Sequence, residues 1–229
     1  MTLPLPLPLP AAVRGFTPPK WVRPLVFVAA CLPLAWIATA LASDAMRGTR
    51  FLGSNPIKEA EHMLGEWTLR FLMLALFVTP LRQLIGWNWL QRYRRMLGLF
   101  AFAYVCVHLS TWAVLDVELD WGDIVKDLTK RWYIMIGMAG FLLMLPLAVT
   151  STAAMVKRLG RRWVTLHKLI YVIVVLGTIH FFMAVKKDIG DPIIFALIFA
   201  ALFGWRIYMV VRRRRGAVSA AASPPGSAR

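Results

Sequence analysis

The chain has 229 residues, of which 59% are hydrophobic, and its mean hydropathy is +0.63. Such a chain cannot hide its apolar surface inside one soluble core, so its long apolar runs predict a membrane protein. The formal net charge is +16, but the basic residues form short clusters beside the apolar runs without a nucleic-acid-binding motif. This pattern argues against a nucleic-acid partner and indicates anchoring at anionic membrane lipid.

Six apolar runs predict an all-α membrane helix bundle with six transmembrane helices. Each run has about 18 to 22 residues, enough at about 1.5 Å per residue to cross a hydrocarbon core of about 30 Å. The predicted spans are residues 24–42, 63–81, 96–115, 132–150, 164–185 and 192–211. Residues 24–211 therefore form one predicted transmembrane domain, between a Pro-rich arm (1–23) and a basic, then disordered tail (212–229).

The charges of the connecting segments predict the orientation of the bundle. Arginines and lysines cluster in the N-terminal arm, the second and fourth loops and the tail, whereas all eleven acidic residues belong to the opposite side. Because basic loops stay in the cytoplasm, both termini are predicted to be cytoplasmic.

Three of the four histidines lie inside apolar spans, where a ring nitrogen lacks water and usually serves a ligand site, a relay or a cofactor. His108 on span three lies about 12 Å inward from Asp116, and His180 on span five lies about 9 Å inward from Lys186. A haem iron needs two axial nitrogens at one level on facing helices. His108 and His180 are thus the predicted axial pair, provided that spans three and five are neighbours.

His167 lies near the basic side, about 20 Å from His180 along a straight helix, and cannot share its iron there. The matching position on span three holds Arg95, so a second haem with two histidines lacks an obvious partner. His167 therefore remains open as a lone or second-haem ligand, a quinone or flavin contact, an alternative partner of His108, or a hydrogen-bonding side chain at the interface.

Other polar residues are weaker candidates. Arg70 is spaced to pair with Glu66 on one helix face, and it lies near the depth of His108, where it could also contact a haem propionate. His62 begins span two and is expected to be solvated. Cys31 and Cys106 both lie within spans and are predicted to be buried thiols that form neither a disulfide nor a metal site.

Three stretches of the sequence together resemble one family. They are HMLGEWTLRFLMLALFVTPL (62–81), RRMLGLFAFAYVCVHLSTW (94–112) and LAVTSTAAMVKRLGRRWVTLHKLIYVIVVLGTIHF (147–181). The order, spacing and helical context of their histidines are similar to those of the MsrQ family, the haem-bearing membrane subunits of the MsrPQ methionine sulfoxide reductase system. The resemblance covers about residues 25 to 211 and leaves out both terminal arms.

The resemblance implies a ferric-reductase-like transmembrane domain in the bacterial inner membrane, with b-type haem and FMN. It implies electron passage from the quinone pool, or from a cytosolic flavin reductase, to a periplasmic molybdopterin enzyme that reduces protein-bound methionine sulfoxide. His108, His167 and His180 stand at the family's haem-associated positions, whereas no FMN contact can be assigned. The roughly eighteen residues after span six are too few for a nucleotide-binding domain, so the chain is expected to receive its electrons from a membrane quinol or a partner and not from a nicotinamide cofactor. The sulfoxide-reducing centre is then expected on the partner chain.

Two alternatives belong to other functional classes. A transmembrane ferric reductase would pass electrons to an external metal chelate. A transporter usually shows internal repeats or broken helices near the membrane centre, and the sequence shows neither signal.

Overall fold

The structure is a computed structural model that describes residues 18–185 and 189–221 of the chain. The ordered elements in these residues are helices, without a β-strand. They are α1 (Val22–Arg47), α2 (Pro56–Ile85), α3 (Gln91–Thr111), α4 (Trp121–Lys130), α5 (Trp132–Val149), α6 (Ala153–Leu159), α7 (Arg161–Leu166), α8 (Leu169–Ala184) and α9 (Gly190–Ala221). A 3₁₀ turn (Asn88–Leu90) precedes α3, and a π-helical turn (Trp112–Asp116) follows it.

The prediction of an all-α bundle with six membrane spans is confirmed. The helical segments long and apolar enough to cross a bilayer are Val22–Arg47, Pro56–Ile85, Asn88–Asp116, Trp132–Val149, Arg161–Ala184 and Gly190–Arg212. Most of them extend a few residues beyond the predicted spans, because a helix continues past the hydrocarbon core wherever the flanking polar residues also favour it.

Span two shows why a helix can begin well before its apolar run. The side chain of Asn55 accepts a hydrogen bond from the backbone N–H of Lys58, and Pro56 occupies the first turn, where its missing N–H costs nothing. The helix ends at Gly86, which adopts a φ of 75°. The early start places His62 inside α2 instead of at its beginning.

Span five differs from the uninterrupted helix that the sequence predicts. It consists of α7 and α8, separated by a turn at His167 and Lys168. Around this turn the backbone N–H of Lys168 bonds to the carbonyl of Thr165, three residues earlier, and that of Tyr171 to the carbonyl of Lys168. These tighter bonds interrupt the α-helical pattern, so a rise and rotation calculated for a straight helix do not apply between His167 and His180.

The last helix is also longer than its predicted span. It continues from residue 211 to Ala221, and residues 212–215 are four arginines, which are good helix formers. The Pro-rich sequence of residues 1–17 and the final residues 222–229 lie outside the described part of the chain.

Helix α2 lies at the centre of the bundle and contacts α1, α3, α8 and α9. The most extensive helix packing joins α2 to α3 and α5 to α8. The haem prediction required spans three and five, here α3 and α8, to be neighbours. Both helices pack against α2 and α5, whose buried side chains include Leu72, Leu76 and Met144. Cys31 and Cys106 are unpaired, as predicted, but only partly buried.

Tyr104 attaches the first helix to the bundle. Its side chain is 1% exposed, its hydroxyl donates to the carbonyl of Ala30 at 2.8 Å, and it accepts from the N–H of Leu34 at 2.9 Å. The contact lies beside Pro33, whose missing N–H removes the helical hydrogen bond to the carbonyl of Ala29. The hydroxyl thus satisfies polar backbone groups in a segment that has no water to do so.

The two ends of the bundle differ in charge. The end where α1 stops and α2 begins, here the acidic end, carries Asp44, Glu59, Asp116 and Asp127. The opposite end, here the basic end, carries Arg82, Arg92, Arg94, Arg158 and Arg161.

Candidate functional site

The larger cavity lies between α2, α3, α5 and α8, towards the acidic end, and encloses about 520 Å³. We call it the histidine cavity. Its lining includes His62, Gly65, His108, Gly137, Gly177 and His180. Its volume falls within the range of about 300 to 1,000 Å³ that small-molecule and cofactor sites occupy.

His108 and His180 face each other across this cavity. Their ring centroids lie 6.2 Å apart, and the ring planes are inclined by 84°. Two metal–imidazole bonds of about 2 Å each, with half a ring added on either side, separate two centroids by about 6 Å across one metal ion. The spacing of the pair therefore suits two ligands of one metal.

The backbone sets the protonation of both rings. Nδ1 of His108 lies 2.9 Å from the carbonyl oxygen of Glu61, and Nδ1 of His180 lies 2.6 Å from that of Tyr133. Because a carbonyl oxygen only accepts hydrogen bonds, each Nδ1 carries the proton and each Nε2 keeps its lone pair. Metal-binding histidines are usually oriented by such a contact on the second nitrogen.

Glycines let the neighbouring helices approach the two rings. A methyl group at Gly137 on α5 would lie 2.8 Å from Nδ1 of His180, closer than such contacts allow. A methyl group at Gly65 on α2 would lie 3.5 Å from Cε1 of His108, an ordinary contact distance. Gly140 and Gly177 also line the cavity, and there a methyl group would lie 3.8 Å from Leu176 and 3.1 Å from Leu69. The glycines therefore allow close packing of protein side chains around the cavity.

The acidic end of the histidine cavity carries charged groups. The ammonium of Lys58 bridges the carboxylates of Glu61, at 3.2 Å, and Asp116. Arg131 also lines the cavity and pairs with the buried Asp127 at 3.0 Å. Glu61 Oε1 is buried without a protein partner, so this rim retains hydrogen-bonding capacity for a further group.

The π-helical turn brings one more polar group to the same cavity. Trp112 begins this turn one helical turn after His108, and it lines the cavity. Its indole Nε1 is buried without a protein partner. Local π-helices are frequent at functional sites, where they redirect side chains.

A second cavity of about 380 Å³ lies towards the basic end. We call it the arginine cavity. Its lining includes Arg94, Arg95, His167, Lys168, Tyr171 and Arg206. Leu72 and Met144 line both cavities, so one layer of side chains separates them.

His167 lies in the arginine cavity and not with the histidine pair. Its ring stacks on Trp163 with centroids 3.8 Å apart. Nδ1 lies 3.1 Å from the carbonyl oxygen of Trp163, and Nε2 lies 3.5 Å from the hydroxyl of Ser151. The side chains that face it from α3 include Arg94 and Arg95 and no histidine.

The predicted pair of Glu66 and Arg70 is present, with 2.6 Å between Oε2 and Nη2. Arg70 also lies 4.9 Å from the ring centroid of Trp67. Glu66 lines the histidine cavity, whereas Arg70 is not among its lining residues, whose cationic side chains are Lys58 and Arg131. His62 lines the same cavity and is partly buried, in contrast to the solvated position expected for it.

Sequence reasoning brought His108 and His180 together but did not find the groups that hold them. The contacts of the two rings with the backbone carbonyls of Glu61 and Tyr133 cannot be predicted from residue types. Gly137 left no clear signal either, because Gly140 lies three residues away and not at the four-residue spacing of the Gly-x-x-x-Gly packing motif.

The chain is similar to known proteins over most of its length. Residues 64–178 match the family model of the ferric reductase like transmembrane component. The protein-methionine-sulfoxide reductase heme-binding subunit MsrQ of Rhodospirillum rubrum is 50% identical over 198 residues, which cover 84% of this chain and 90% of the relative. The MsrQ subunit of Azospira oryzae is 46% identical over 193 residues, 83% of this chain and 80% of the relative.

The similarity extends to more distant relatives of the same name. The MsrQ subunit of Xanthomonas euvesicatoria pv. vesicatoria is 42% identical over 207 residues, which cover 90% of this chain and 95% of the relative. Six apolar spans and the matched transmembrane model identify a multi-pass membrane protein of the ferric-reductase-like type. Within that type, the chain belongs to the MsrQ family.

Proposed function

We propose that this chain is the haem-binding membrane subunit of a methionine sulfoxide reductase system, with His108 and His180 as the axial ligands of one b-type haem. The observation that carries the proposal is the histidine pair itself. The two rings lie 6.2 Å apart between centroids, and each presents Nε2 because its Nδ1 is held by a backbone carbonyl. The names of the relatives support haem as the ligand.

The cavity residues fit a haem better than a bare metal ion. Within residues 18–185 and 189–221 no group of three or more metal-binding side chains occurs, and two imidazoles alone do not complete the coordination of a metal in a protein. A porphyrin brings the other four nitrogens with it. A cavity of about 520 Å³ with two imidazoles on opposite sides suits its flat ring.

When bound, a b-type haem supplies a one-electron carrier whose potential depends on its ligands and their hydrogen bonds. The chain's own residues would set those conditions. The carbonyls of Glu61 and Tyr133 orient the two imidazoles and increase their basicity. Lys58 and Arg131 provide positive charge at the acidic end, where the propionates of a haem would find partners. Arg70 remains a proposed propionate contact through its position beside Glu66, its ion-pair partner, which lines the cavity.

His167 is proposed as a second, subordinate ligand position, either for another haem or as an alternative partner in haem binding. In its favour, Nδ1 faces a carbonyl oxygen and Nε2 has only a long contact of 3.5 Å to Ser151. Against a second site with two histidines, α3 presents Arg94 and Arg95 to the same cavity. The pair at the acidic end is therefore the primary site.

The direction of electron flow follows from the charges of the two ends. Because basic segments stay in the cytoplasm, the basic end and both termini are proposed to face it, in the bacterial inner membrane. Electrons would enter from the quinone pool or a cytosolic flavin reductase, with FMN as a further cofactor. They would leave at the acidic end to a periplasmic molybdopterin enzyme, whose own centre reduces methionine sulfoxide.

The test is the visible spectrum and haem content of the purified protein and of His108→Ala. We expect a low-spin b-type spectrum in the wild type and its loss in the variant, because α3 offers no second histidine. His62→Ala is the matched control, since His62 lines the same cavity without facing His180 as a pair. Equal haem content in the His108 and His62 variants would contradict the ligand assignment.

A second candidate function follows from the family model, which is that of a ferric reductase like component. Such a protein would reduce an external ferric chelate instead of a protein partner. Reconstituted vesicles with an internal reductant distinguish the two. Rapid reduction of ferric citrate outside, without acceleration by the sulfoxide reductase partner, would favour the ferric reductase.

A further inference from the structure

Helix α4 is too short to cross a membrane. It has ten residues, Trp121–Lys130, and lies at the acidic end between the third and fourth spans. Its apolar side chains recur at the spacing that places them on one face of a helix. This apolar stripe consists of Trp121, Ile124, Val125 and Leu128. We propose that α4 lies in the membrane–water interface at the acidic end, with the apolar stripe in contact with lipid.

Much of the apolar stripe is accessible from outside the bundle. Trp121 is 78% exposed and Val125 is 56% exposed. Just before and just after the helix, Leu119 is 56% exposed and Trp132 is 70% exposed. Single exposed apolar side chains are ordinary on a protein surface. A group that follows one helix face and continues past both helix ends marks contact with a membrane or with another molecule.

The sides of α4 follow one another in the order expected for a helix that lies flat on a membrane. At about 100° per residue, Asp127 lies about 120° from Trp121 around the helix. Asp127 is 3% exposed, so its side of the helix faces the bundle. Lys126 and Lys130 are exposed and lie about 140° and 180° from Trp121. The apolar stripe and the lysines thus occupy opposite sides, as they do in interfacial helices.

Continuity with the lipid-facing surface of the bundle identifies the occupant as lipid. Helix α4 ends at Lys130, and the fourth span begins two residues later at Trp132. The apolar stripe therefore leads into the segment where this span enters the bilayer, a level at which tryptophan is enriched in membrane proteins. The helix that α4 contacts most extensively is α5, which forms this span. Helix α4 thus remains beside the point of entry.

The charges of α4 also favour lipid over a charged protein partner. Two aspartates and two lysines leave the helix without a net charge, and Lys126 lies 3.4 Å from Asp123 in an ion pair. Association steered by charge depends on an excess of one sign at the surface. Burial of apolar side chains in a membrane interface does not, so the attraction of α4 for lipid arises from the apolar stripe.

The direction of the apolar stripe is fixed at both ends of α4. The chain enters the helix through Glu118 and Leu119, whose φ angles are 51° and 59°. This left-handed conformation is unfavourable for residues other than glycine, so it restricts the path of the chain. At the other end, Nε of Arg131 lies 3.0 Å from Oδ1 of the buried Asp127. The orientation of the apolar stripe is therefore part of the fold.

An interfacial α4 would also stabilise one edge of the histidine cavity. Arg131 lines this cavity, and its ion-pair partner Asp127 belongs to α4. Contact of α4 with lipid would keep this pair at the acidic end of the cavity. The lipid contact does not depend on which ligand the cavity binds, so the proposal is independent of the haem assignment.

Site-directed spin labelling tests the proposal. In a background that carries Cys31→Ala and Cys106→Ala, a single label is attached after Val125→Cys or, as the matched control, after Lys126→Cys. The two positions are adjacent and exposed on the same helix, but only Val125 belongs to the apolar stripe. The labelled proteins are placed in phosphatidylcholine nanodiscs. Power saturation then measures the access of each label to oxygen, which concentrates in lipid, and to a water-soluble nickel chelate.

We expect the ratio of oxygen access to nickel access to be at least about threefold higher at Val125 than at Lys126, because the apolar face of an interfacial helix lies about 5 to 10 Å inside the boundary. Equal ratios at the two positions overturn the proposal. The proposal also fails if the Val125 label is accessible to nickel in nanodiscs and becomes protected only when the sulfoxide reductase partner is added. In that case the stripe contacts a protein.

A second measurement uses the chain with both native cysteines and decides the question if the cysteine-free background fails to fold. Val125→Gln and Lys126→Gln introduce the same side chain at adjacent exposed positions. In nanodiscs, Val125→Gln should lower the unfolding temperature because an apolar contact with lipid is lost, whereas Lys126→Gln should leave it unchanged. Equal unfolding temperatures of these two variants would contradict the lipid contact.

Discussion

The histidine cavity and the arginine cavity are formed largely by the same helices, α2, α3, α5 and α8, yet they present different chemistry. The histidine cavity offers two imidazoles with free Nε2 atoms and glycine-lined walls. The arginine cavity offers one histidine, stacked on Trp163, among cations. One helix arrangement therefore forms two cavities, and the side chains at each level give them different chemistry.

The comparison predicts that the two cavities respond very differently to loss of a histidine. His180→Ala should abolish the low-spin spectrum and weaken haem binding by more than about 100-fold, because losing a ligand exceeds the 10- to 100-fold effect of losing its supporting contacts. His167→Ala should retain most of the haem. Haem titration and electron paramagnetic resonance of both variants provide the measurement, and a larger loss in His167→Ala would reverse the assignment of the two cavities.

A smaller effect on haem content is expected from a substitution at Gly137 in the wall of the histidine cavity. Gly137→Ala places a methyl group 2.8 Å from Nδ1 of His180. The side chains must shift to remove this clash, which lowers the stability of the protein by about 1 to 3 kcal/mol. The ring should tilt, and the haem content should fall. Gly140→Ala is the control on the same helix, since its methyl group would lie 3.8 Å from the nearest atom, on Leu176. Indistinguishable spectra of the two variants would remove Gly137 from the site.

Tyr104 lies on the same helix as His108 but lines neither cavity, so it tests whether bundle stability and ligand binding can be separated. Tyr104→Phe removes the hydroxyl that contacts Ala30 and Leu34, and leaving buried polar groups unsatisfied costs about 1 to 3 kcal/mol. Thermal unfolding should occur at a lower temperature while the haem spectrum is kept. Tyr208→Phe, at a half-exposed position, should change neither property.

The smallest expected effect concerns charge behind the histidine cavity. Arg70→Gln leaves Glu66 unpaired at the cavity wall, which makes an added electron less favourable and lowers the haem midpoint potential. Glu66→Gln should shift the potential in the opposite direction. Redox titrations monitored by absorbance measure both shifts. Two shifts of the same sign would show that the pair acts through packing and not through its charge.

The membrane architecture could be predicted from the sequence because it depends on local quantities. An apolar run of sufficient length must form a helix in lipid, since every backbone polar group has to be satisfied within the segment. The same reasoning put His108 and His180 at one depth, and the structure brings the two rings together. The MsrQ family could also be recognised, because the spacing of the histidines along the chain is itself a sequence property.

The ends and interruptions of the helices were less predictable. The start of α2 at Pro56 depends on capping by Asn55 and not on hydropathy. The turn at His167 interrupts a run whose apolar pattern continues, and there His167 takes the carbonyl of Trp163 as partner for its ring as well as for its N–H. A side-chain contact to a helix carbonyl of this kind has no signal in hydropathy.

The sequence by itself determined the helical class, the number of spans, the separation of charge between the two ends and the family. Tertiary structure alone decided which carbonyls orient the two histidines, that Gly137 must lack a side chain, and that Arg94 and Arg206 share a cavity without a counter-charge. The physical reason is the range of the interactions. Hydrophobic length and charge asymmetry are summed along the chain, whereas a hydrogen bond such as that from His180 to Tyr133 joins residues 47 positions apart and exists only after the helices have packed.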